Sequence, residues 1–342
     1  MDLEHAKRKN EHLSLAEKFY SSAHQEHPFD QVRVLPNALP EIKTTEVKST
    51  VSVHNLHFEW PFYFEAMTGG SSQAKTVNAA LARVANQTGL AMSTGSLATM
   101  FKLPQFNDSF TIVRELNPDG IVIANLGANV TVQQAQAAIN LIHADALEIH
   151  LNGAQEMIMP EGDRNFHWLT HIQELVEKIT VPVIIKEVGF GMTKENLTAL
   201  KQHGVTIINV AGRGGTNFAQ IENRRNHQTN FDDLHAWGLT TPESLIEAQT
   251  LNHLSIIASG GITCPLDVIK AGAMGAKCVG VAGYFLHEYY QNGEDGLLRT
   301  VKQWQTEIIG IMAILGCHTF NDLVNVPKVY GNELINYIQQ RQ

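Results

Sequence analysis

The 342-residue sequence is poor in cysteine and in long apolar runs. Its three cysteines, Cys264, Cys278 and Cys317, show no C-x-x-C spacing, which suits a reducing cytoplasm. No apolar run reaches the roughly 18 residues that a transmembrane helix needs. The charged stretch Asp2–Glu17 does not resemble a signal peptide either. We therefore expect a cytoplasmic protein with no membrane partner.

Positive charge is also scarce. The 25 Lys and Arg residues against 34 Asp and Glu residues give a formal net charge of −9, which argues against nucleic acid as a main partner. The 16 histidines are scattered, without an H-E-x-x-H motif or another paired spacing typical of a metal cage. With 44% hydrophobic residues, the chain can bury a full core as a soluble globular protein.

The chain divides near residue 60. Residues 1–60 read as an N-terminal extension, with a charged helix at Asp2–Tyr20, a proline-rich segment and a strand-like piece at Thr44–Val53. From 61 to 342, short apolar runs alternate with helical patterns, which is typical of βαβ units around a parallel sheet. The apolar runs number eight: Phe62–Met67, Leu90–Ser93, Ile121–Asn125, Ala146–Leu151, Val183–Lys186, Ile207–Val210, Ile256–Ser259 and Cys278–Ala282.

Eight such units predict an α/β fold, a (β/α)8 TIM barrel with an N-terminal extension. The connection Ala211–Leu254 is the longest and is expected to be a functional loop. Helical patterns complete the barrel and its C-terminal tail: Gln73–Gln87, Thr131–Ile142, Trp168–Ile179, Lys194–His203, Pro265–Ala271, Leu297–Leu315 and Asn332–Gln339.

Polar side chains cluster after the fourth predicted strand. The stretch Ala146–Glu156 ends in His150, Asn152, Gln155 and Glu156, and the C-terminal ends of barrel strands are where ligands bind. The alternative is an ordinary polar loop after a buried strand.

Glycine turns and one lysine indicate an anionic ligand. Gly260-Gly261 and Ala282-Gly283 follow the seventh and eighth predicted strands, where barrels bind phosphate on backbone N–H groups. Lys186 ends the apolar fifth strand, and a buried ammonium should face an anion. The alternative is a salt bridge to Glu187 or another carboxylate. A phosphate site with a lysine across the barrel mouth fits flavin mononucleotide (FMN).

Several motifs in order carry a family resemblance. The chain resembles the type 2 isopentenyl-diphosphate isomerases, FMN-dependent barrel enzymes that interconvert isopentenyl and dimethylallyl diphosphate. The motifs are Arg8-Lys9-x-Glu11-His12, Ala38-Leu39-Pro40-Glu41, Met67-Thr68-Gly69-Gly70, Asn125-Leu126-Gly127, His150-Leu151-Asn152 with Gln155-Glu156, Lys186-Glu187-Val188-Gly189, Gly212-Arg213-Gly214-Gly215-Thr216, Trp237-Gly238 and Ser259-Gly260-Gly261-Ile262.

The resemblance implies a role for each matching position. It implies that Glu156 binds Mg²⁺, that NADPH is the reductant, and that Gln155 and Glu222 lie nearest the proton path. It also implies a homotetramer or homo-octamer. Positions that match substrate contacts are Arg8, Lys9, His150, Asn152 and Gln155. Positions that match FMN contacts are Ala66, Met67, Thr68, Ser96, Asn125, Lys186, Thr216, Gly260, Gly261, Ala282 and Gly283.

Some alternatives stay open at this point. Arg8 and Lys9 could form a solvated helix end, and Glu222 could be a surface loop acid. Where the family often has Gln-Arg, this chain has Leu97-Ala98, so a diphosphate-binding arginine is missing; Lys102 is a candidate substitute. The rival functions are an FMN-dependent oxidoreductase of the α-hydroxy-acid oxidase or dehydrogenase type, and a flavin- or phosphate-binding protein without catalysis.

Overall fold

The computed structural model describes residues 2–22, 27–226 and 230–341, with the side chains of residues 2–8, 21 and 22 left out. The segment before the barrel contains helix α1 (Asp2–Ser22) and the short strands β1 (Val32–Val34), β2 (Val51–Val53) and β3 (Leu56–Phe58). Strands β2 and β3 form an antiparallel hairpin just before the barrel begins. The strand-like pattern at Thr44–Val53 was only partly right, because Thr44–Glu46 is a 3-10 turn.

Eight parallel strands close into a barrel, which confirms the (β/α)8 prediction. Each strand is short and almost wholly buried, as expected for strands covered by helices outside and by packed side chains inside. The strands are β4 (Phe62–Phe64), β5 (Met92–Ser93), β6 (Val122–Gly127), β7 (Ala146–His150), β8 (Val183–Lys186), β9 (Ile207–Asn209), β10 (Ser255–Ser259) and β11 (Cys278–Val281).

The helices surround the barrel. Several begin at threonine caps with reciprocal hydrogen bonds, as at Thr131, Thr193 and Thr240, which satisfies N–H groups of the first turn. They are α2 (Ser72–Thr88), α3 (Asp108–Leu116), α4 (Val132–Ile142), α5 (Gly153–Ile158), α6 (Leu169–Lys178), α7 (Lys194–Gln202), α8 (Phe218–Arg225), α9 (Thr241–Ala248), α10 (Pro265–Ala273), α11 (Gly283–Ile314) and α12 (Asn332–Arg341).

Two connections differ from the sequence prediction. The segment Ala211–Leu254 is not one long loop, because it contains α8 and α9. The C-terminal helix begins at Gly283, well before Leu297, and it is broken at Gly293, whose φ of 68° interrupts the helical backbone. Strand β12 (Lys328–Tyr330) then pairs with β1 and ties the C-terminal segment to the N-terminal one.

The strand register brings the polar strand ends to one level. His150 at the end of β7 pairs with Gly127 of β6 on one side and with Lys186 of β8 on the other. Side chains that were predicted from separate motifs therefore meet at the C-terminal mouth. In the described part of the chain, no helix is both long enough and apolar enough to cross a membrane.

Candidate active site

A cavity of about 560 Å³ opens at the C-terminal ends of the barrel strands, within the size range of small-molecule sites. Helix α1 contributes Lys9, His12 and Leu13 to its wall. The predicted positions that line the cavity are Lys9, Ala66, Met67, Thr68, Ser96, Asn125, His150, Asn152, Gln155, Glu156, Lys186, Thr216, Gly260, Gly261, Ala282 and Gly283. The side chain of Arg8 lies outside the described residues, so its predicted role stays a prediction.

The turns after β10 and β11 form a backbone cradle. Gly260 and Gly261 have φ values of 90° and 73°, a left-handed region that favours glycine. A Cβ on Gly260 would lie 2.0 Å from the carbonyl oxygen of Gly212, so no larger residue fits. Helix α11 starts at Gly283 without a side-chain cap. Its first turn lines the cavity with Gly283, Tyr284 and Leu286, and the N–H groups of a helix N-terminus suit a phosphate.

Lys186 is buried against this cavity, with 6% of its surface exposed. In the described residues, no carboxylate lies within ion-pair distance of its ammonium group. The neighbouring Glu187 carboxylate instead accepts N–H groups of its own loop, from Val188 at 2.6 Å and Gly189 at 2.8 Å. The salt-bridge alternative for Lys186 and Glu187 was therefore wrong.

The hydroxyl group of Thr68 is a second group in the cavity that could bind a ligand. Its Oγ1 is buried and has no hydrogen-bond partner among the residues that the structure describes, and the residue lines the cavity. A buried hydroxyl without a partner costs free energy. Together with the Lys186 ammonium and the glycine cradle, this hydroxyl fits an anionic ligand with hydrogen-bonding groups, such as FMN.

His150 is held by Asn125. The Nδ1 atom of His150 lies 2.7 Å from Oδ1 of Asn125, so Nδ1 carries the hydrogen and Nε2 is an acceptor in the neutral ring. Burial, together with the charges of Lys186 and Lys9, lowers the pKa of His150 to about 3. The imidazole is therefore neutral before an anion binds.

Asn152, Gln155 and Glu156 are placed by the start of α5. Asn152 precedes the first residue of this helix, and its Nδ2 donates to Glu156 Oε1 at 2.9 Å. The backbone N–H of Asp163 donates to Glu156 Oε2 at 2.6 Å. Each carboxylate oxygen keeps a second lone pair. No cluster of three or more His, Cys, Asp or Glu ligands occurs among the described residues.

Glu222 lies behind Gln155 and is fully buried. Gln155 Nε2 donates to Glu222 Oε1 at 2.9 Å, and His12 Nε2 lies 2.8 Å from the same oxygen. Arg225 pairs with Glu222 Oε2. Burial alone would raise the pKa of Glu222, but the contacts with His12, Arg225 and Gln155 outweigh it and lower the pKa to about 2. The alternative that Glu222 is a surface loop acid was wrong.

The arginine that Ala98 replaces is not restored by Lys102. Ala98 lines the cavity, whereas Lys102 is exposed and is not among the lining residues. That candidate substitute was therefore wrong. Among the described residues, the lysines and arginines of the cavity wall are Lys9, Lys186 and Arg213.

Three acidic or basic residues near the site were not assigned a role from sequence. His12 and Arg225 support Glu222, and Glu65 lines the cavity floor. For Glu65, the available signal was a carboxylate directly after an apolar strand. For Arg225, no local pattern distinguished it from a surface residue.

Curated relatives match almost the whole chain. An isopentenyl-diphosphate delta-isomerase of Limosilactobacillus reuteri is 55% identical over 344 residues, covering 100% of this chain and 99% of the relative. The enzymes of the same name from Latilactobacillus sakei and Staphylococcus aureus are 44% and 40% identical, covering 98% and 99% of this chain and 96% and 97% of theirs. The chain belongs to the isopentenyl-diphosphate delta-isomerase family.

Other comparisons place this isomerase family member in a wider group. A family model described as FMN-dependent dehydrogenase matches residues 113–327. The flavin-binding domain of baker's yeast flavocytochrome b2 is 18% identical with a TM-score of 0.68, covering 98% of this chain and 92% of that one. A mandelate oxidase variant with (S)-mandelic acid is 14% identical with a TM-score of 0.65, covering 92% and 94%. These two structures share the fold alone.

Proposed function

We propose that this protein interconverts isopentenyl diphosphate and dimethylallyl diphosphate with reduced FMN, with Mg²⁺ on the diphosphate and NADPH as the reductant. The names of its relatives support the reaction. The observation that carries the proposal is the layout of the cavity. The glycine turn after β11 lies four strands around the eight-stranded barrel from β7, whose end presents His150, Asn152 and Gln155. One mouth thus offers a phosphate cradle on one side and amide-rich polar groups on the other.

The chain's own groups would hold FMN in a fixed orientation. The turn Gly260-Gly261 and the α11 N-terminus would bind its phosphate, and Thr68 and Lys186 would bind polar atoms of its ring. When bound and reduced, FMN supplies an electron-rich ring that stabilises positive charge developing on the substrate. The Lys186 ammonium would balance the negative charge of the reduced cofactor.

The substrate diphosphate would lie among Arg8, Lys9, His150 and Asn152. Mg²⁺ is commonly held by one or two carboxylates together with substrate phosphates, and Glu156 would provide that carboxylate. Asn152 and the Asp163 N–H orient the Glu156 oxygens. Because a bound dianion favours the imidazolium form, substrate binding should also raise the pKa of His150.

Gln155 and Glu222 are the residues that we place nearest the proton path. An amide is not a strong base, so Gln155 would act by orientation. Its Nε2 donates to Glu222, and among the described residues its Oε1 has only a 3.5 Å contact from Asn152. Oε1 is thus available to accept a hydrogen bond from the substrate or from a water molecule. Glu222 is ionised and does not line the cavity, so its role in this scheme is to fix the amide.

The deciding experiment is a turnover assay with isopentenyl diphosphate, FMN, Mg²⁺ and NADPH. We expect dimethylallyl diphosphate to form without net consumption of NADPH beyond reduction of the flavin. An FMN-dependent oxidoreductase of the α-hydroxy-acid type would consume or produce reducing equivalents in proportion to product. A binding protein without catalysis would retain flavin, visible in its absorption spectrum, but would form no product.

Two further expectations belong to the same proposal. We expect a cytoplasmic homotetramer or homo-octamer, as in the family that the sequence resembles. Light scattering of the purified protein measures the subunit number directly, and a monomeric protein would contradict this expectation.

A further inference from the structure

A buried polar network lies inside the barrel, at the floor of the cavity. Barrel interiors are usually filled by branched apolar side chains, but here two carboxyl groups, Glu65 and Glu148, are both buried. We call them the carboxyl pair. The polar side chains around them come from four barrel strands, and they are Tyr63 of β4, Ser93 of β5, Asn209 of β9 and Ser259 of β10.

Glu65 receives three hydrogen-bond donors. The N–H of Ala66 donates to Oε1 at 2.7 Å. Oε2 accepts from the Tyr63 hydroxyl at 2.7 Å and from Asn209 Nδ2 at 2.6 Å. The Asn209 amide is oriented by the Ser259 hydroxyl, which donates to its Oδ1 at 2.7 Å. A carboxyl group that accepts three donors is stabilised as the anion.

Glu148 has different hydrogen-bond partners. The Ser93 hydroxyl donates to its Oε2 at 2.6 Å. Its Oε1 lies 3.3 Å from the Tyr63 hydroxyl, whose single hydrogen is directed to Glu65 at the shorter distance of 2.7 Å. A neutral carboxylic acid can donate to the Tyr63 oxygen at this position, whereas a carboxylate cannot. With Glu148 protonated, the hydrogen bonds run from Glu148 through Tyr63 to Glu65.

We propose that the carboxyl pair carries one proton and one negative charge at neutral pH, the proton on Glu148 and the charge on Glu65, and that this single charge sets the reduction potential of the flavin. The second part rests on the proposed function, because it requires FMN in the cavity. Both residues act as positioning residues. Glu65 fixes the N–H of Ala66, and Glu148 donates a hydrogen bond to the Tyr63 oxygen, whose own hydrogen is donated to Glu65.

The electrostatics of Glu148 agree with its protonation. Burial, followed by the charge of Glu65, raises the pKa of Glu148 to about 8, although Lys186 and the Ser93 hydrogen bond lower it. Burial also raises the pKa of Tyr63 and that of Cys278 on β11 far above neutrality. Tyr63 and Cys278 are thus uncharged at pH 7.

The charge of Glu65 reaches the cavity. Glu65 and Gly280 both line it, and a Cβ on Gly280 would lie 2.5 Å from Glu65 Oε2. Glycine at this position therefore makes room for the carboxylate. A negative charge here opposes Lys186 and disfavours the anionic reduced flavin.

The protonation state can be measured without any flavin. We expect the infrared spectrum of the flavin-free protein at pH 7 to contain a carbonyl band of a buried carboxylic acid. The contribution of Glu148 to this band should disappear in Glu148→Gln and should titrate away in the wild type near pH 8. Burial raises the pKa of Glu187 to about 7, so its contribution should be present in both proteins. A spectrum in which the wild type and Glu148→Gln do not differ at pH 7 overturns the assignment.

The charge count is tested on the flavin-loaded protein. Glu148→Gln keeps the shape and the neutral state, so we expect its flavin potential at pH 7 to match the wild type. Adding Glu65→Gln to that variant removes the remaining charge and should favour reduced flavin about tenfold, which is about 30 mV for a two-electron couple.

Two results would overturn the charge count. If Glu148→Gln alone raises the potential, Glu148 is ionised in the wild type. If both variants match the wild type, neither group carries a charge that the flavin senses. Should the double variant fail to fold, the infrared titration of the wild type still decides the protonation state. Failure of the wild type to bind FMN would contradict the proposed function and leave the infrared result standing.

Discussion

Gln155 Nε2 donates a 2.9 Å hydrogen bond to Oε1 of Glu222, a buried carboxylate on a helix that follows β9. The same carboxylate contacts His12 of α1 and Arg225 of its own helix. Arg225 in turn reaches Glu11 of α1 at 3.2 Å. The orientation of the Gln155 amide in the cavity wall is thus connected to the seating of the N-terminal helix.

Replacement of Gln155 tests the role of this amide. We expect Gln155→Leu to lower kcat by about 10²-fold or more, because positioning of reacting groups contributes at that scale, while FMN reduction and diphosphate binding survive. The measurement is anaerobic: the flavin is reduced first, and deuterium exchange from D₂O into substrate and product is followed. Exchange at the wild-type rate would assign the proton transfer to other groups.

A matched control for this variant is available on the protein surface. Gln303 donates to Glu307 at 2.7 Å on the exposed side of α11. Gln303→Leu removes the same type of bond far from the cavity wall, so its exchange rate should equal that of the wild type.

The lowered pKa of Glu222 predicts that the stability of the fold depends on pH. Its folded-state pKa of about 2 lies below the ordinary glutamate value of 4.5, so the group stabilises the fold above about pH 4.5 and loses this contribution as pH falls toward 2. The slope should reach at most about 1.4 kcal/mol per pH unit. Glu222→Gln should flatten this part of the curve, measured by denaturant unfolding at stepped pH. Parallel curves for the two proteins would contradict the assignment.

The position of Lys186 in the cavity wall predicts that its ammonium group contributes to the affinity for FMN. Lys186→Ala should weaken FMN binding by about tenfold or more and should weaken reduced FMN further, because the anionic reduced form loses its counter-charge. Titration of the apoprotein with FMN, followed by flavin fluorescence, measures the effect. Lys102→Ala is the control, since Lys102 is exposed outside the cavity wall. Equal affinities for all three proteins would remove Lys186 from the cofactor site.

The proposed role of Glu156 predicts that substrate affinity depends on Mg²⁺ through this carboxylate. Glu156→Gln keeps the shape of the side chain and removes its charge, so substrate affinity should lose its Mg²⁺ dependence while FMN stays bound. The measurement is a Mg²⁺ titration of KM. Glu177→Gln replaces an exposed acid on α6 and should leave that titration unchanged. If the Glu156→Gln titration overlays the wild type, this carboxylate is structural.

Local patterns were sufficient for the barrel and for most of its mouth. The number of short apolar runs predicted eight strands, because strands that are covered on both faces have short continuous apolar sequences. Residues at the C-terminal end of a barrel strand lie at the mouth by geometry alone, which is why the sequence was sufficient to assign His150 and Lys186 to it. Helices α8 and α9 were missed because the polar sequence between Ala211 and Leu254 lacks a clear apolar stripe.

Contacts between distant segments could not be read from the sequence. The environment of Glu222 depends on the arrival of His12 from α1, and a surface acid with the same neighbours in sequence looks identical. The carboxyl pair is a second case, since Tyr63 and Glu148 are 85 positions apart. Their protonation depends on donors from strands across the barrel, which no local pattern encodes.

Gly280 predicts how tightly the cavity floor is packed around Glu65. A Cβ on Gly280 would lie 2.5 Å from Glu65 Oε2, so Gly280→Ala must displace the carboxylate from Tyr63 and Asn209. We expect a loss of about 1–3 kcal/mol in the free energy of unfolding and weaker FMN binding. The control is Gly310→Ala, because Gly310 lies within α11 and an added Cβ there meets nothing within 4 Å. That variant should gain about 0.5–1 kcal/mol from helix propensity. Denaturant unfolding of both variants measures the contrast, and a Gly280→Ala protein as stable as the wild type would mean that the Glu65 carboxylate is not held in place by its three donors.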